Sequence, residues 1–297
     1  MNLFDRLVSE ALKQNPDLSP LRIVVEKELL HHDILRILKN NNLLSKLTFI
    51  GGTALRSCYG GVRLSEDLDF TGGCDFSYDS LSKMGHMLTQ SLTEKYGFQT
   101  AVSEPVKETK NVSTWKIKIE TRPKQKHMPM QRINLDICSV PSYERQPMML
   151  LNPYGIDMGT NGLIIQTQSL EEIYADKILA FALRPNRIKY RDLWDIAWLH
   201  QKNIQPKLQL IPNKLHDRHV TYKKFTDQFD KRICILRENR DVAIEFKKEM
   251  QRFLPKRKID EIIEQNDLWP FIVYLMTNLK NLCFKQSSHQ MKDTHLG

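Results

Sequence analysis

The sequence predicts an α+β domain followed by a mainly helical domain. Up to about Ile165, short runs with strand-like alternation are interleaved with amphipathic helical runs, a mixture typical of an α+β fold. Beyond that residue, apolar side chains recur almost wholly at helical spacing. This shift places a boundary near residues 155–168, and we divide the chain into a first domain, 1–160, and a second, 161–297.

The elements follow from periodicity and from turn signals. Residues 19–44 predict a long amphipathic helix, and residues 47–50 predict a short buried strand that runs directly into Gly51-Gly52. A helix restarts at residues 53–59. The remaining predicted elements are strands at 64–71, 114–121 and 132–140, helices at 79–95, 169–184 and 191–201, a Pro-containing non-helical stretch at 205–212, and several helices after 222.

Composition predicts a soluble cytoplasmic protein that does not interact with a membrane. Asp5, Arg6 and Glu10 lie where a signal peptide would be apolar, and no apolar run reaches the length of a membrane span. The five cysteines are scattered, without CxxC spacing, which argues against a disulfide framework and against a structural zinc site. We therefore expect unreactive free thiols.

The net charge of +9 is unevenly distributed. Residues 201–297 contain 19 Lys+Arg and 12 Asp+Glu, so they carry +7 of it, and residues 107–132 contain eight Lys+Arg and two Glu. Charge alone leaves two interpretations open, a pair of solvated faces or a surface that binds a polyanion such as nucleic acid.

The segment with the strongest chemical pattern is GGTALRSCYGGVRLSEDLDF, residues 51–70. Because side chains alternate along a strand, Asp67 and Asp69 share one face. Leu68 and Phe70 then point into the core. Carboxylates about 7 Å apart repel each other unless a cation neutralises them, and oxygen ligands of this kind select Mg²⁺ or Mn²⁺. An isolated pair of this kind is more often a solvated outer face.

Gly51 and Gly52 close a strand and open a helix, which lets backbone N–H groups point at an oxyanion. Thr53 adds a hydroxyl donor, so the turn predicts a phosphate cradle. A Gly-Gly pair alone is equally compatible with an ordinary tight turn. The cradle and the paired carboxylates lie on consecutive elements, however, and together they favour binding of a nucleoside triphosphate with its metal ions.

Asp136 is predicted to supply a third carboxylate from a neighbouring strand. It alternates with Asn134 and Cys138 on one face of the strand at 132–140. The alternative is an edge-strand aspartate that faces water. Asp75, in a predicted turn, is a weaker substitute.

Two further candidates lie in the helical part. Lys177 falls within the apolar stripe of the helix at 169–184, so it needs an anionic partner or must extend to solvent, and we favour a phosphate contact. Asp192 is predicted to point inward on the same helical face as Asp195, with a helix N-cap as the alternative. Three arginines are candidates for extra phosphate contacts, although solvation is their commoner fate: Arg184, Arg187 and Arg191.

The string GGTALR…GG.R.SEDLDF, followed by ADKILAFALR and RDLWDI, resembles the AbiEii/AbiGii-type nucleotidyltransferase toxins. These belong to the DNA polymerase β-like nucleotidyltransferase superfamily and to type IV toxin–antitoxin and abortive-infection systems. The resemblance covers residues 20–200, including VEKELL at 25–30. It implies a polymerase β-like catalytic domain with a mixed sheet. Residues 201–297 match no motif.

The resemblance also implies roles for the candidate residues. Gly52 and Thr53, beside Gly51, would hold the nucleoside triphosphate, and Asp67 and Asp69 would bind the metal ions. In the second domain the resemblance implies a catalytic pair, Lys177 and Asp192. Asp136 matches the third carboxylate of the superfamily by strand position alone.

The activity implied by the resemblance is transfer of a nucleotide to RNA, notably to the tRNA acceptor end, which blocks translation. A cognate antitoxin is then an expected partner, and the basic stretches gain a reason in RNA binding. Two alternatives stay open. The same site could transfer a nucleotide to a protein hydroxyl, or the fold could be a catalytically inactive module that binds RNA or a partner.

Overall fold

The computed structural model describes residues 2–105, 111–123 and 129–293, with side chains described as far as residue 285. The chain divides into two compact units, Met1–Gln168 and Ser169–Gly297. The sheet lies in the first unit, and the described part of the second unit is helical, so the predicted α+β class is confirmed. The first unit ends at Gln168, at the end of the range 155–168 predicted for the boundary and eight residues after the predicted division at residue 160.

The first unit contains helices, strands and two 3₁₀ turns. Its helices are α1 (Leu3–Gln14), α2 (Arg22–Asn40), α3 (Gly51–Tyr59) and α4 (Met84–Tyr96), and the 3₁₀ turns are Pro16–Leu21 and Tyr78–Leu81. Its strands are β1 (Thr48–Ile50), β2 (Leu68–Thr71), β3 (Thr100–Ser103), β4 (Val112–Ile119), β5 (Gln131–Cys138), β6 (Arg145–Met149) and β7 (Ile164–Gln168).

The second unit is built from helices of very unequal length. They are α5 (Leu170–Leu183), α6 (Tyr190–Gln201), α7 (Ile211–Asp217), α8 (Tyr222–Glu238), α9 (Arg240–Gln251), α10 (Lys256–Lys258) and α11 (Leu268–Asp293), with a 3₁₀ turn at Leu208–Leu210 and a π-helical turn at Ile259–Ile263.

The described strands form one mixed sheet in the order β3-β4-β5-β2-β1-β7-β6. The pairs β2–β5 and β1–β7 are parallel and the other pairs are antiparallel. The sequence did not predict β3, β6 or β7, and β3 and β6 are the two edge strands. Pro147 lies within β6, and a proline is tolerated there because one side of an edge strand makes no ladder hydrogen bonds.

The centre of the sheet has one apolar face. Leu68 and Phe70 of β2 are buried, as predicted, and the Phe70 ring lies 5.0 Å from that of Phe49 on β1, centroid to centroid. On β5, Leu135 is fully buried, whereas Asp136 is half-buried on the opposite face. The two-residue alternation therefore separates a packed side from the side that carries the acidic residues.

The strand predicted over residues 64–71 begins only at Leu68, which is a correction. The antiparallel pairing of β1 with β2 ends at Ile50 opposite Asp69, because the chain turns into α3 at Gly51. The residues before Leu68 therefore have no strand beside them on that side. Their backbone groups are instead bonded by side chains from α2 and α3.

Proline positions explain two further differences. The helix predicted from residue 19 begins at Arg22, because a 3₁₀ turn containing Pro20 precedes it. The stretch 205–212 was predicted to be non-helical, yet α7 begins at Ile211 with Pro212 in its first turn. A proline is tolerated there because the first-turn N–H groups of a helix have no intrahelical acceptor.

The second unit packs around α5. The rings of Phe181 on α5 and Phe229 on α8 lie 5.5 Å apart, centroid to centroid. Lys214 of α7 is fully buried, and its ammonium lies 2.6 Å from Glu172 and 2.9 Å from Asp176, both on α5. A buried ion cluster of this kind fixes α7 on α5, because removing one partner would leave an uncompensated charge.

All five cysteines are free, as predicted. Burial raises the pKa of Cys58 to about 11, although a hydrogen bond from Thr167 opposes this shift. Burial also raises the pKa of Cys283 to about 12, so both thiols are protonated at neutral pH. In the part of the chain that the structure describes, no helix has both the length and the apolar character needed to cross a bilayer.

Candidate active site

The three candidate aspartates of the first unit lie on, or directly before, two neighbouring parallel strands. Asp67 directly precedes β2, Asp69 lies within it, and Asp136 lies on β5 opposite Asp69 in the register. Registered residues of adjacent parallel strands point to the same face with their Cα atoms about 4.8 Å apart. The structure therefore brings Asp69 and Asp136 side by side on the polar face of the sheet.

Hydrogen bonds from neighbouring residues orient the carboxylates of Asp67 and Asp136. Oδ1 of Asp67 accepts the backbone N–H of Asn134 at 3.2 Å. Oδ1 of Asp136 accepts the hydroxyl of Thr114 at 2.6 Å. All three aspartates are half-buried.

The turn from β1 into α3 requires glycine. Gly51 has φ +75°, and a Cβ atom there would lie 2.8 Å from Oδ2 of Asp69. The Asp69 carboxylate therefore lies directly against the first residue of α3. The N-cap residue Ile50 supplies no side-chain hydrogen bond to this turn, and the N–H groups at the start of a helix suit an anionic ligand.

The second glycine is packed against an arginine that the sequence reasoning did not single out. A Cβ atom at Gly52 would lie 2.2 Å from Nη2 of Arg63, which is buried and donates from Nη1 to the Leu64 carbonyl at 3.1 Å. A guanidinium beside a helix N-terminus adds positive charge to an anion site. The spacing of Arg63 before the acidic pair, in GGVRLSEDLDF, was the available signal.

Thr53 has a different role from the one predicted. Its hydroxyl is fully buried, donates to the backbone carbonyl of Asp67, and lies 2.6 Å from the hydroxyl of Ser65. That proton is already committed within the protein, so Thr53 is not placed to donate it to a phosphate. It instead ties α3 to the segment that leads into β2.

Within residues 2–105, 111–123 and 129–293, no group of three or more His, Cys, Asp and Glu side chains forms a recognisable metal-binding cluster. The donor chemistry nevertheless suits a hard divalent ion, because two registered carboxylates face the same side with Asp67 beside them. The metal site at Asp67, Asp69 and Asp136 stays a prediction. Asp75 is exposed in a turn after β2.

In the second unit, Lys177 is held between two carboxylates of α6. Its ammonium lies 2.6 Å from Oδ1 of Asp192 and 2.8 Å from Oδ2 of Asp195, and the lysine is only 8% exposed. The anionic partner that was predicted for Lys177 from its apolar surroundings is therefore supplied by the protein itself. Asp195 lies on the inward face that the sequence predicts for it, and no sequence motif indicates its pairing with Lys177.

Asp192 is not a helix N-cap. The N-cap of α6 is Lys189, and Asp192 lies in the first turn, where Nη2 of Arg184 also reaches its Oδ2 at 3.0 Å. Burial alone would raise the pKa of Asp192, but the positive charges of Lys177, Lys189 and Arg184 outweigh it and lower the pKa below its ordinary value. Asp192 is therefore ionised at neutral pH.

The remaining arginine candidates differ in environment. Arg191 is bonded to Glu249 at 3.1 Å, and Arg187 is exposed. Part of the basic stretch 107–132 lies outside the described residues. On the helices after residue 201, several exposed cations are paired with acidic side chains three or four residues away: Lys223 with Asp227, Lys248 with Glu245, and Arg257 with Glu261.

Comparisons with known proteins give one family and a set of structural neighbours. Residues 33–269 match the family model described as nucleotidyl transferase AbiEii toxin, type IV TA system. The chain is 12% identical to MenT4, a nucleotidyltransferase toxin from Mycobacterium tuberculosis H37Rv, with a TM-score of 0.58 over 96% of this chain and 97% of that one. It is 16% identical to JHP933 from Helicobacter pylori, with a TM-score of 0.41 over 91% and 97% of the two chains. No curated protein sequence matches it.

Proposed function

Because this chain belongs to the AbiEii family of nucleotidyltransferase toxins, we propose that it transfers a nucleoside monophosphate from an NTP to RNA. We take the 3′ end of tRNA as the acceptor, and block of translation as the toxic effect. These substrates place the proposed activity in the cytoplasm, with a cognate antitoxin as its regulatory partner.

The observation that carries the proposal is the position of the Asp69 carboxylate. It lies beside Asp136 on the neighbouring strand and against Gly51 at the start of α3. Carboxylates suited to a divalent ion thus adjoin backbone N–H groups suited to a phosphate, and a metal-bound triphosphate needs both.

In the proposed reaction, the acceptor hydroxyl oxygen attacks the α-phosphorus of the NTP. A new phosphodiester bond forms, the bond to the β-phosphate breaks, and pyrophosphate leaves while the hydroxyl proton passes to solvent. Mg²⁺ or Mn²⁺, held by Asp67, Asp69 and Asp136, would neutralise phosphate charge and favour loss of that proton.

The side chains and backbone of this protein have four tasks in the proposal. The start of α3, at Gly51 and Gly52, binds phosphate oxygens through N–H groups, and Arg63 adds positive charge there. We also assign Lys177 to phosphate neutralisation, and Asp192 to fixing the Lys177 ammonium through their 2.6 Å ion pair. Thr53 holds the chain that leads to Asp67.

The test is transfer of label from each of four α-³²P-labelled NTPs to total RNA in the presence of Mg²⁺. We expect label in the tRNA fraction, and none when the tRNA 3′-terminal diol has first been oxidised with periodate. Label on protein and not on RNA would select transfer to a protein hydroxyl. Absence of label on both, with folded protein, would overturn the proposal.

A further inference from the structure

A short irregular segment, Ser65 to Asp67, leads into the strand that carries Asp69. We name it the approach segment. Three of its successive backbone groups bond to buried side chains: the Ser65 N–H to Glu28 at 2.7 Å, the Glu66 carbonyl to His31 at 3.1 Å, and the Asp67 carbonyl to Thr53. Side chains thus replace the ladder hydrogen bonds that a strand would provide.

Helix α2 supplies most of these bonds from one face. Lys27 forms an ion pair with the Glu66 carboxylate at 2.9 Å, and Glu28 and His31 lie one turn apart and reach the backbone of the segment. The approach segment is therefore fixed from outside by α2, although α2 itself contributes no residue to the candidate active site.

Glu28 is the centre of this arrangement. It is 4% exposed, and its second carboxylate oxygen accepts Nε of Arg56 at 3.1 Å and the hydroxyl of Tyr154. Its first oxygen accepts the Ser65 N–H. Three donors from three parts of the first unit thus converge on one buried carboxylate, and hydrogen bonds to a charged acceptor are the strong ones.

We propose that Glu28 is a positioning residue for nucleotidyl transfer, which sets the Asp67 and Asp69 carboxylates by holding the approach segment through the Ser65 N–H. This inference rests on the proposed function. Glutamine offers one acceptor oxygen where Glu28 uses two, so the Ser65 N–H and the Arg56 guanidinium would compete for it, and the segment would shift and the carboxylates with it.

Glu26 provides a matched control on the same helix. It is 2% exposed and equally committed, with Nε2 of Gln131 at 2.7 Å and the guanidinium groups of Arg22 and Arg122 as partners. None of these partners belongs to the approach segment. A general cost of losing a buried carboxylate on α2 should therefore appear equally in Glu26→Gln and Glu28→Gln.

The experiment compares wild type, Glu28→Gln, Glu26→Gln and the milder Lys27→Met well below their melting temperatures. For Glu28→Gln we expect Mn²⁺ affinity, measured by electron paramagnetic resonance, and kcat to fall about 10- to 100-fold. The KM for NTP should change little, and Glu26→Gln should behave as wild type in both. Lys27→Met should show the same pattern more weakly.

Equal losses in the two glutamine variants, after correction for folded fraction, would overturn the inference, as would unchanged Mn²⁺ affinity in Glu28→Gln. Failure of the proposed function would be detected separately, by measuring label transfer with the wild-type protein alone. If wild type binds Mn²⁺ but transfers no label, the Mn²⁺ comparison still decides the role of Glu28. If wild type binds no Mn²⁺, the inference falls with the metal site.

Discussion

The two units hold their charged groups by opposite means. In the first, Asp69 and Asp136 are half-exposed like charges placed side by side by strand register. In the second, Lys177 is buried and neutralised by Asp192 and Asp195 on another helix. The first arrangement carries electrostatic repulsion that a bound cation would relieve, whereas in the second the opposite charges already lie within ion-pair distance of each other. Substitutions at the acidic site of the first unit should therefore lower activity more than stability. Substitutions at the ion pairs of the second unit should lower stability.

The largest effect on stability is expected from Lys177→Met. It would remove the ammonium that two buried carboxylates, Asp192 and Asp195, share, which costs about 3–5 kcal/mol of unfolding free energy. Lys223→Met is the control, because Lys223 and Asp227 lie 2.8 Å apart but are 83% and 51% exposed, so its loss should cost at most about 1 kcal/mol. Urea unfolding measures both. Equal losses would contradict the contrast between buried and exposed pairs.

Asp69→Asn should show the reverse pattern. Transfer of labelled nucleotide should fall roughly 100- to 1000-fold, because one charge of the site is lost. The melting temperature should stay constant or rise, since the repulsion between neighbouring carboxylates is relieved. Asp79→Asn, at an exposed position in a 3₁₀ turn, should leave both quantities unchanged. A large fall in melting temperature for Asp69→Asn would show that this carboxylate is structural.

Acid should weaken the two units in different pH ranges. Burial lowers the pKa of His31 and of His32 from 6.5 to about 4. Below pH 6.5 these histidines bind protons in the unfolded chain but stay neutral in the folded state, so the free energy of unfolding falls towards pH 4. At pH 5 the loss is about 2 kcal/mol per histidine. The pKa of Asp192 is lowered from 3.8, so its stabilisation is lost only below about pH 4.

Amide hydrogen exchange at pH 5 and pH 7 measures this difference, once the intrinsic pH dependence of exchange is removed. Peptides from α2 should lose protection at pH 5 while peptides from α6 keep theirs. His32→Gln should weaken the response of α2 by about half, because only one of its two buried histidines then titrates. Identical pH profiles for both helices would contradict the expectation.

The smallest effect is expected at a glycine. Gly51→Ala and Gly97→Ala both place a side chain at positive φ, +75° and +70°, at a cost of about 1–2 kcal/mol each. A Cβ atom at Gly97 has no neighbour within 4 Å, whereas one at Gly51 lies 2.8 Å from Oδ2 of Asp69. Melting temperatures should therefore fall similarly, and nucleotide transfer should fall only for Gly51→Ala. Unchanged nucleotide transfer in Gly51→Ala would show that the reaction does not depend on the position of the Asp69 carboxylate.

Residue alternation predicted much of the first unit correctly. A strand has a period of two, so the inward direction of Leu68 and Phe70 and the opposite face of Asp136 follow from the sequence. The start of β2 did not follow, because it depends on where its partner β1 ends at Ile50. Local patterns do not contain that information.

The other differences between prediction and structure concern which side chains bond to each other. The need of Lys177 for an anion was predicted from its apolar surroundings and the resemblance paired it with Asp192, but no motif indicates that Asp195, one turn further along the same helix, shares the ammonium. The hydroxyl of Thr53 was assigned to a ligand, whereas the fold commits it to Ser65 and Asp67. In both cases tertiary packing decides between acceptors that the sequence leaves equivalent.

The central position of β1 has a consequence for synthesis of the chain. β1 lies between β2 and β7, and its Phe49 pairs with Thr167, so one of its two neighbours is supplied only at the end of the first unit. Contacts between residues so distant in sequence form slowly, because a long loop must first close. During translation, the strand leading into the glycine turn therefore stays open on one side until residue 168 has left the ribosome, and a truncated product lacks the finished sheet.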